Sequence, residues 1–297
     1  VRLLRAATLT TPDPVAAARQ YQEFFGYLHL ETGIVSQGLA DSWGAPAMAG
    51  RGYTVIGPSS GVPVFLRFVE SPAVPGFVPL RSFGWGAIEL CVQDVQAVHA
   101  RMQGSPFEII GPPRALDGDP KIWPMQVQGP DGEIVFLTEI RGDDPGARLP
   151  RAACLVDCLF IAVLACADIA ATRAWFDDVL GCRGGPDFEL AYTTLSRAFG
   201  LPVTAKHKIA LLGHGEDAFL QLDQYPAGAA ARVTRPGELP PGVAMVSFAA
   251  PAWGQEAGVG EAGVVYGGGR RKIVRTPEGA VVELIALPPD VGWVSAA

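Results

Sequence analysis

LTTPDPVAAARQYQEFFG at residues 9–26 returns as LACADIAATRAWFDDVLG at residues 164–181. In both copies an apolar strand-like run stops at an aspartate, Asp13 or Asp168, and a helical pattern carries an aromatic pair before the closing glycine. The aspartate is a helix N-cap, Pro14 suits the first helical position of the first copy, and Gly26 or Gly181 ends the helix. In the first copy Val15, Ala18, Tyr21, Gln22 and Phe25 recur at helical spacing, which predicts one amphipathic helix packed on a sheet.

The closing strand repeats as well, because VQGPDGEIVFLTEI at 127–140 is echoed by VRTPEGAVVELIAL at 274–287. The chain is therefore a tandem duplication, and its 297 residues supply two halves that can each bury a core. Each half divides again. Strands are predicted near 2–11, 28–35, 53–56 and 62–69 around the first helix, then near 86–92, 107–110, 123–127 and 134–139 around a helix capped by Asp94. The second half repeats this with strands near 158–165, 190–195, 208–212 and 218–222. Its last module has strands near 243–248, 263–267, 272–275 and 280–286, with a glycine-rich PAWGQEAGVGEAG where a helix is expected. The expected domains are 1–141 and 153–297, each a consecutive pair of βαβββ modules, joined by a linker at 142–152.

Four βαβββ modules with Asp-capped helices and a Pro-Asp/Glu-Gly turn before a last strand resemble the vicinal oxygen chelate superfamily, which includes glyoxalase I, bleomycin-resistance proteins and extradiol dioxygenases. The resemblance covers almost the whole chain. It implies an α+β fold of two tandem glyoxalase-like domains, each an open, curled, eight-stranded mixed sheet with helices outside and a concave substrate trough. It also implies a divalent metal held near the start of the first strands by His or Gln and on a last strand by Glu. At the matching positions this chain has Ala6, Ala87 and Ile161, then Phe136 and Glu283. Only Glu283 can ligate, so no metal and no cofactor are predicted.

Without the triad, strand alternation gives the trough-facing residues. Thr8, Thr10, Phe65, Arg67, Glu89 and Phe136 are expected inside the first trough, with Arg67 and Glu89 either an internal ion pair or an oxyanion and acid/base pair. Gln221 and Glu283 are expected in the second. His207 and His214, seven apart, fall on opposite faces of a strand and are the histidines nearest to a site, as partners for Glu283. Trp123, with Trp43 and Trp85, could rim a trough for a planar ligand, or pack in the core.

Composition narrows the classes. Net charge is −7, with 23 basic against 30 acidic residues, and RRK at 270–272 reads as a solvated strand edge, so no nucleic-acid partner is expected. No apolar run reaches the roughly 18 residues that span a bilayer, so no membrane partner is expected either. Five cysteines without paired spacing and no visible leader point to the cytoplasm. The chain is expected to be a monomer or a homodimer. The leading expectation is an enzyme of lyase or isomerase type, transferring a proton on a small, apolar, oxygen-bearing and possibly aromatic metabolite. The alternatives are a small-molecule sequestering protein and a ring-cleaving dioxygenase with displaced ligands His207, His214 and Glu283.

Overall fold

Among the described residues, three aspartates start the three long helices in the same way. Asp13 accepts from the amides of Val15 and Ala16, Asp94 from Gln96 and Ala97, and Asp168 from Ala170 and Ala171, at 2.8–3.2 Å. These bonds satisfy amides that have no partner inside the helix. They open α1 (Pro14–Phe25), α3 (Val95–Met102) and α4 (Ile169–Leu180), and α1 and α4 end on left-handed Gly26 and Gly181 at φ 73° and 63°. The buried stripe of α1 is Pro14, Ala17, Ala18, Tyr21 and Phe25. Val15, expected on that stripe, is half exposed, because the face turned to the sheet lies one residue further round the helix.

The computed structural model describes residues 3–142, 149–214, 217–250 and 262–287. Most of the expected linker and most of the glycine-rich stretch of the last module lie outside these. The first module comprises β1 (Leu4–Thr11), β2 (Leu28–Ile34), β3 (Gly52–Gly57) and β4 (Phe65–Glu70); the second comprises β5 (Gly84–Val92), β6 (Glu108–Gly111), β7 (Ile122–Gln128) and β8 (Ile134–Ile140). The third has β9 (Val156–Cys166), β10 (Arg183–Gly184), β11 (Phe188–Ala191), β12 (Lys206–His214) and β13 (Asp217–Gln224); the fourth has β14 (Gly242–Ala249), β15 (Arg270–Arg275) and β16 (Val281–Ala286). Two short helices, α2 (Gln37–Ser42) and α5 (Thr193–Ala198), interrupt the first and third modules.

The fold is α+β, with two open mixed sheets. One has the order β15-β16-β14-β1-β4-β3-β2, and the other β10-β12-β13-β9-β5-β8-β7-β6, with β11 on β12. The module pairing corrects the expectation of consecutive pairs. Module one joins module four through antiparallel β1 and β14, and module two joins module three through antiparallel β5 and β9. Each trough therefore takes one module from each half of the chain. Consecutive modules still touch: the Tyr21 hydroxyl of α1 donates to Glu133 in the turn before β8 at 3.3 Å, and Thr172 of α4 donates to Glu278 in the turn before β16.

Two further expectations change. Residues 263–267 form turns rather than a strand, and the strand expected at 190–195 ends at Ala191, where α5 begins two residues later. The main core lies between the sheets, where α1, α3 and α4 pack with Trp85, Phe176, Phe219 and Phe248. Two smaller clusters lie on the concave faces, one per trough. No helix among the described residues is long and apolar enough to cross a membrane.

Candidate functional site

In the trough of modules one and four, β1 and β4 run parallel with Thr8 beside Arg67, while β14 and β16 place Ser247 beside Glu283. Alternation turns these four side chains to one face. Arg67 donates to Thr8 Oγ1 at 3.0 and 2.8 Å, to the Tyr266 hydroxyl at 2.7 Å and to Glu283 Oε2 at 3.2 Å. Ser247 donates to Glu283 Oε2 at 2.5 Å, and Tyr266 and Trp43 Nε1 donate to Oε1 at 2.9 and 3.1 Å. The carboxylate thus takes four donors, and it and Arg67 are 0% and 2% exposed.

That trough is full. Trp43 follows α2 into it, Met48, Val265 and Tyr266 pack beside the tryptophan, and a space of only about 50 Å³ remains next to Arg67. Thr10 hydrogen-bonds the Pro240 carbonyl at 3.1 Å, and Phe65 lies beneath the Arg5 guanidinium at 4.7 Å. Arg67 therefore pairs with Glu283 and not with Glu89, which belongs to the other sheet. Alternation had placed both facing inward, but the module pairing puts them in different troughs.

The metal that the fold implies does not fit these residues. Glu283 already spends both oxygens on four donors, one of them a guanidinium, and a cation would have to displace that charge. Ala6, Ala87, Ile161 and Phe136 offer no lone pair at the other positions. Among the described residues, no cluster of three His, Cys, Asp or Glu side chains could hold a metal ion.

The trough of modules two and three is different. Here β5, β8, β9 and β13 leave a cavity of about 320 Å³, with Glu89, Thr138, Phe136, Ile161 and Gln221 among its lining residues. The size falls within the range of small-molecule pockets. Its roof is α5 and the strand before it, with residues 111–116 of the second module. Tyr192 hangs from that roof, edge-on to Phe136 with ring centres 6.1 Å apart. The roof is tied down by Thr194 Oγ1 to Gln126 Oε1 at 3.1 Å and by the Arg81 guanidinium to the Ala198 carbonyl at 2.6 Å. Where α2 delivers an indole that fills the first trough, α5 covers the second and leaves it hollow.

Glu89 is 7% exposed, accepts a hydrogen bond from Thr138, and is pushed up to about 7 by burial. Asp223, on the same strand face as Gln221, is 1% exposed and is likewise pushed up to about 7, by burial and then by the charge of Glu89. Gln221 Nε2 donates to Asp223 Oδ1 at 2.8 Å, while Asp223 Oδ2 has no partner. Burial beside these two acids and Tyr225 holds the Tyr192 hydroxyl protonated, with its pKa well above the usual phenol value. The trough thus holds two carboxyls that can each lose or gain a proton near neutrality.

The histidines are not part of it. His207 is buried with Nε2 2.8 Å from Ser196 Oγ, where it anchors α5 to β12, and burial lowers its pKa. His214 is exposed at the end of β12, in a groove with Arg183. Glu283 lies in the other sheet, so the structure does not bring His207, His214 and Glu283 together as displaced iron ligands. Trp123 stacks on Arg141 at 3.9 Å outside the cavity, and Trp43 and Trp85 are core residues. Strand alternation turns Asp223 into a trough beside Gln221, two residues away, but no feature of the sequence marks it for a role. Tyr192, Arg114 and Arg197 were missed because the segment that carries them, or meets them, read as strand and loop.

No family profile matches the chain, and no curated protein matches it in sequence. Solved structures do. Glyoxalase I from Zea mays superposes with a TM-score of 0.62 at 16% identity, covering 96% of this chain and 92% of that one. A putative dioxygenase from Bacillus subtilis gives 0.60 at 12% identity, covering 97% and 86%. Likeness at such identity is a likeness of fold.

Proposed function

Because the chain has the vicinal oxygen chelate fold with neither trough carrying a fitting donor set, we propose that it binds a small, largely apolar, oxygen-bearing molecule between modules two and three and moves a proton on it with Glu89. The reaction is of lyase or isomerase type and needs no metal. One observation carries the reading: the Glu89 carboxyl, buried in the wall of a largely apolar, part-open cavity, is pushed up to about 7 by that burial. A base matched to neutral pH is what general acid–base catalysis requires, and it is worth roughly 10²–10⁴ in rate.

The remaining polar groups suit the task. Gln221 gives one amide hydrogen to Asp223 and keeps a second for a ligand oxygen. Tyr192, protonated at all relevant pH, can donate to the same oxygen as negative charge develops on it. Glu89 takes the proton from the adjacent carbon or hydroxyl, and the apolar walls keep water from competing for it. An aromatic body is accommodated by Phe136, Phe160 and Tyr192.

The roof, tied to the sheet by side-chain bonds, also favours retention of a ligand without turnover, the sequestration reading. One experiment separates the two. Aromatic ketones, acids and phenols that raise the melting temperature are incubated with the protein in D₂O and followed by proton NMR. Deuterium entering an acidic C–H position, lost in Glu89→Gln while binding remains, supports catalysis. Tight binding with no exchange supports sequestration, and no ligand from such a panel overturns both.

A further inference from the structure

Two arginines stand at the mouth of the cavity, one from each module. Arg114, between β6 and β7, donates to the Ala191 carbonyl of module three at 3.2 Å. Arg197, on α5, donates to the Ile110 carbonyl of module two at 3.5 Å. Each guanidinium thus reaches across the mouth to the backbone of the opposite module, and both line the cavity. A guanidinium has five donors, so these contacts leave most of them available.

Their charge balance is uneven. Arg114 has Asp117 at 3.8 Å, an exposed pair of the kind worth little. Arg197 has no carboxylate partner among the described residues; its one bond is the long one to a neutral carbonyl. Inside the mouth the lining is apolar except for Glu89, Gln126, Thr138, Gln221, the Tyr192 hydroxyl and the threonines of α5. A ligand that fits this distribution has an apolar body, a neutral polar end at Glu89 and Gln221, and a negative group at the rim.

We propose that the cavity takes an apolar carboxylic acid whose carboxylate is received at the rim by Arg197, with Arg114 contributing a second positive charge. This rests on the cavity being the binding site and names the class of molecule that occupies it. The guanidinium fork matches a carboxylate with two parallel N–H bonds, which a carbonyl cannot accept. Binding exchanges the weak Arg197 to Ile110 contact for a charge-assisted one, and so couples ligand capture to the roof on which Arg197 stands.

The test uses the full chain with two probes of equal shape, 2-naphthoate and uncharged 2-naphthamide, and measures Kd by fluorescence or calorimetry. The expected result is that naphthoate binds at least about tenfold tighter than naphthamide, in line with a hydrogen bond to a charged group. Arg197→Gln removes most of that preference, Arg114→Gln a smaller part, and Arg197→Lys restores some of it; naphthamide binding does not change. Added salt weakens naphthoate binding alone. Equal binding of both probes, unaffected by either arginine variant, overturns the rim assignment and leaves the cavity reading standing. Binding of neither probe overturns the cavity reading and this one with it. Both arginines are exposed, so the variants are expected to fold normally.

Discussion

Arg67 Nη2 stands 3.2 Å from Glu283 Oε2 across the trough of modules one and four, and both side chains are almost wholly shielded from water. The pair occupies the place where the fold would otherwise hold a ligand, and Tyr266, Trp43, Ser247 and Thr8 satisfy what the two ions leave over. A site of this kind is structural. Glu283→Ala leaves a buried guanidinium without its charge partner and is expected to cost about 3–5 kcal/mol in urea unfolding. Ligand binding in the other trough is expected to persist wherever the variant is folded. Ferrous, manganous or zinc salts are expected to leave the melting temperature of the wild type unchanged, because no donor of Glu283 yields to them.

How this pair escaped the sequence is instructive. The capping aspartates, the strand alternation and the repeat were all local, and they located β1, α1, β5, α3, β9 and α4 to within a few residues. Alternation also placed Arg67 and Glu89 correctly as inward-facing. It could not say which trough each faces, because that depends on whether β1 pairs with β5 or with β14, a contact more than two hundred residues away in the chain. Trp43 and Tyr192 were harder still. They stand on or beside short helical insertions, α2 and α5, whose few residues give no periodicity to read.

Stability should fall as pH rises through neutrality. Burial pushes Glu89, Glu133 and Asp223 each up to about 7, against 4.5 for an ordinary glutamate and 3.8 for an ordinary aspartate. Between those values the folded chain holds protons that the unfolded chain has released, so ∂ΔG/∂pH of unfolding is negative. The contribution is complete below the unfolded pKa values, declines steadily as pH rises from there to about 7, and is gone above it. His207, lowered by burial, acts in the opposite sense and mainly at pH below its ordinary value of 6.5, so the three carboxyls dominate from pH 6.5 to 8. The unfolding free energy from urea titrations is expected to drop over that interval by somewhat under about 1 kcal/mol per group. Glu89→Gln and Asp223→Asn are expected to flatten the slope and to be more stable than wild type at pH 8. A midpoint that rises over that interval would contradict the burial of these acids.

The crossed pairing of modules makes a prediction about the halves of the chain. Cut at the linker, residues 1–141 retain β1 and β5 with one edge of each unpaired, since their partners β14 and β9 lie in residues 153–297. Those edges are not blunted: β1, β9 and β14 are buried along their whole length, and all of β5 but one residue is buried too. A central strand stripped of its neighbour presents an apolar row of free N–H and C=O groups, which is a template for association. Each half alone is therefore expected to aggregate or to self-associate, by β1 or β5 taking a copy of itself in place of the missing strand. Mixed or co-expressed, the halves are expected to form one stable complex, seen by size-exclusion chromatography as a species of the full-length mass that carries both fragments. Consecutive pairing would give the opposite pattern, two soluble monomeric halves with little affinity for each other. The outcome also bears on the binding site. If the cavity needs β5 and β8 from one half and β9 and β13 from the other, ligand binding appears only in the reassembled complex, and neither fragment alone protects a probe from solvent.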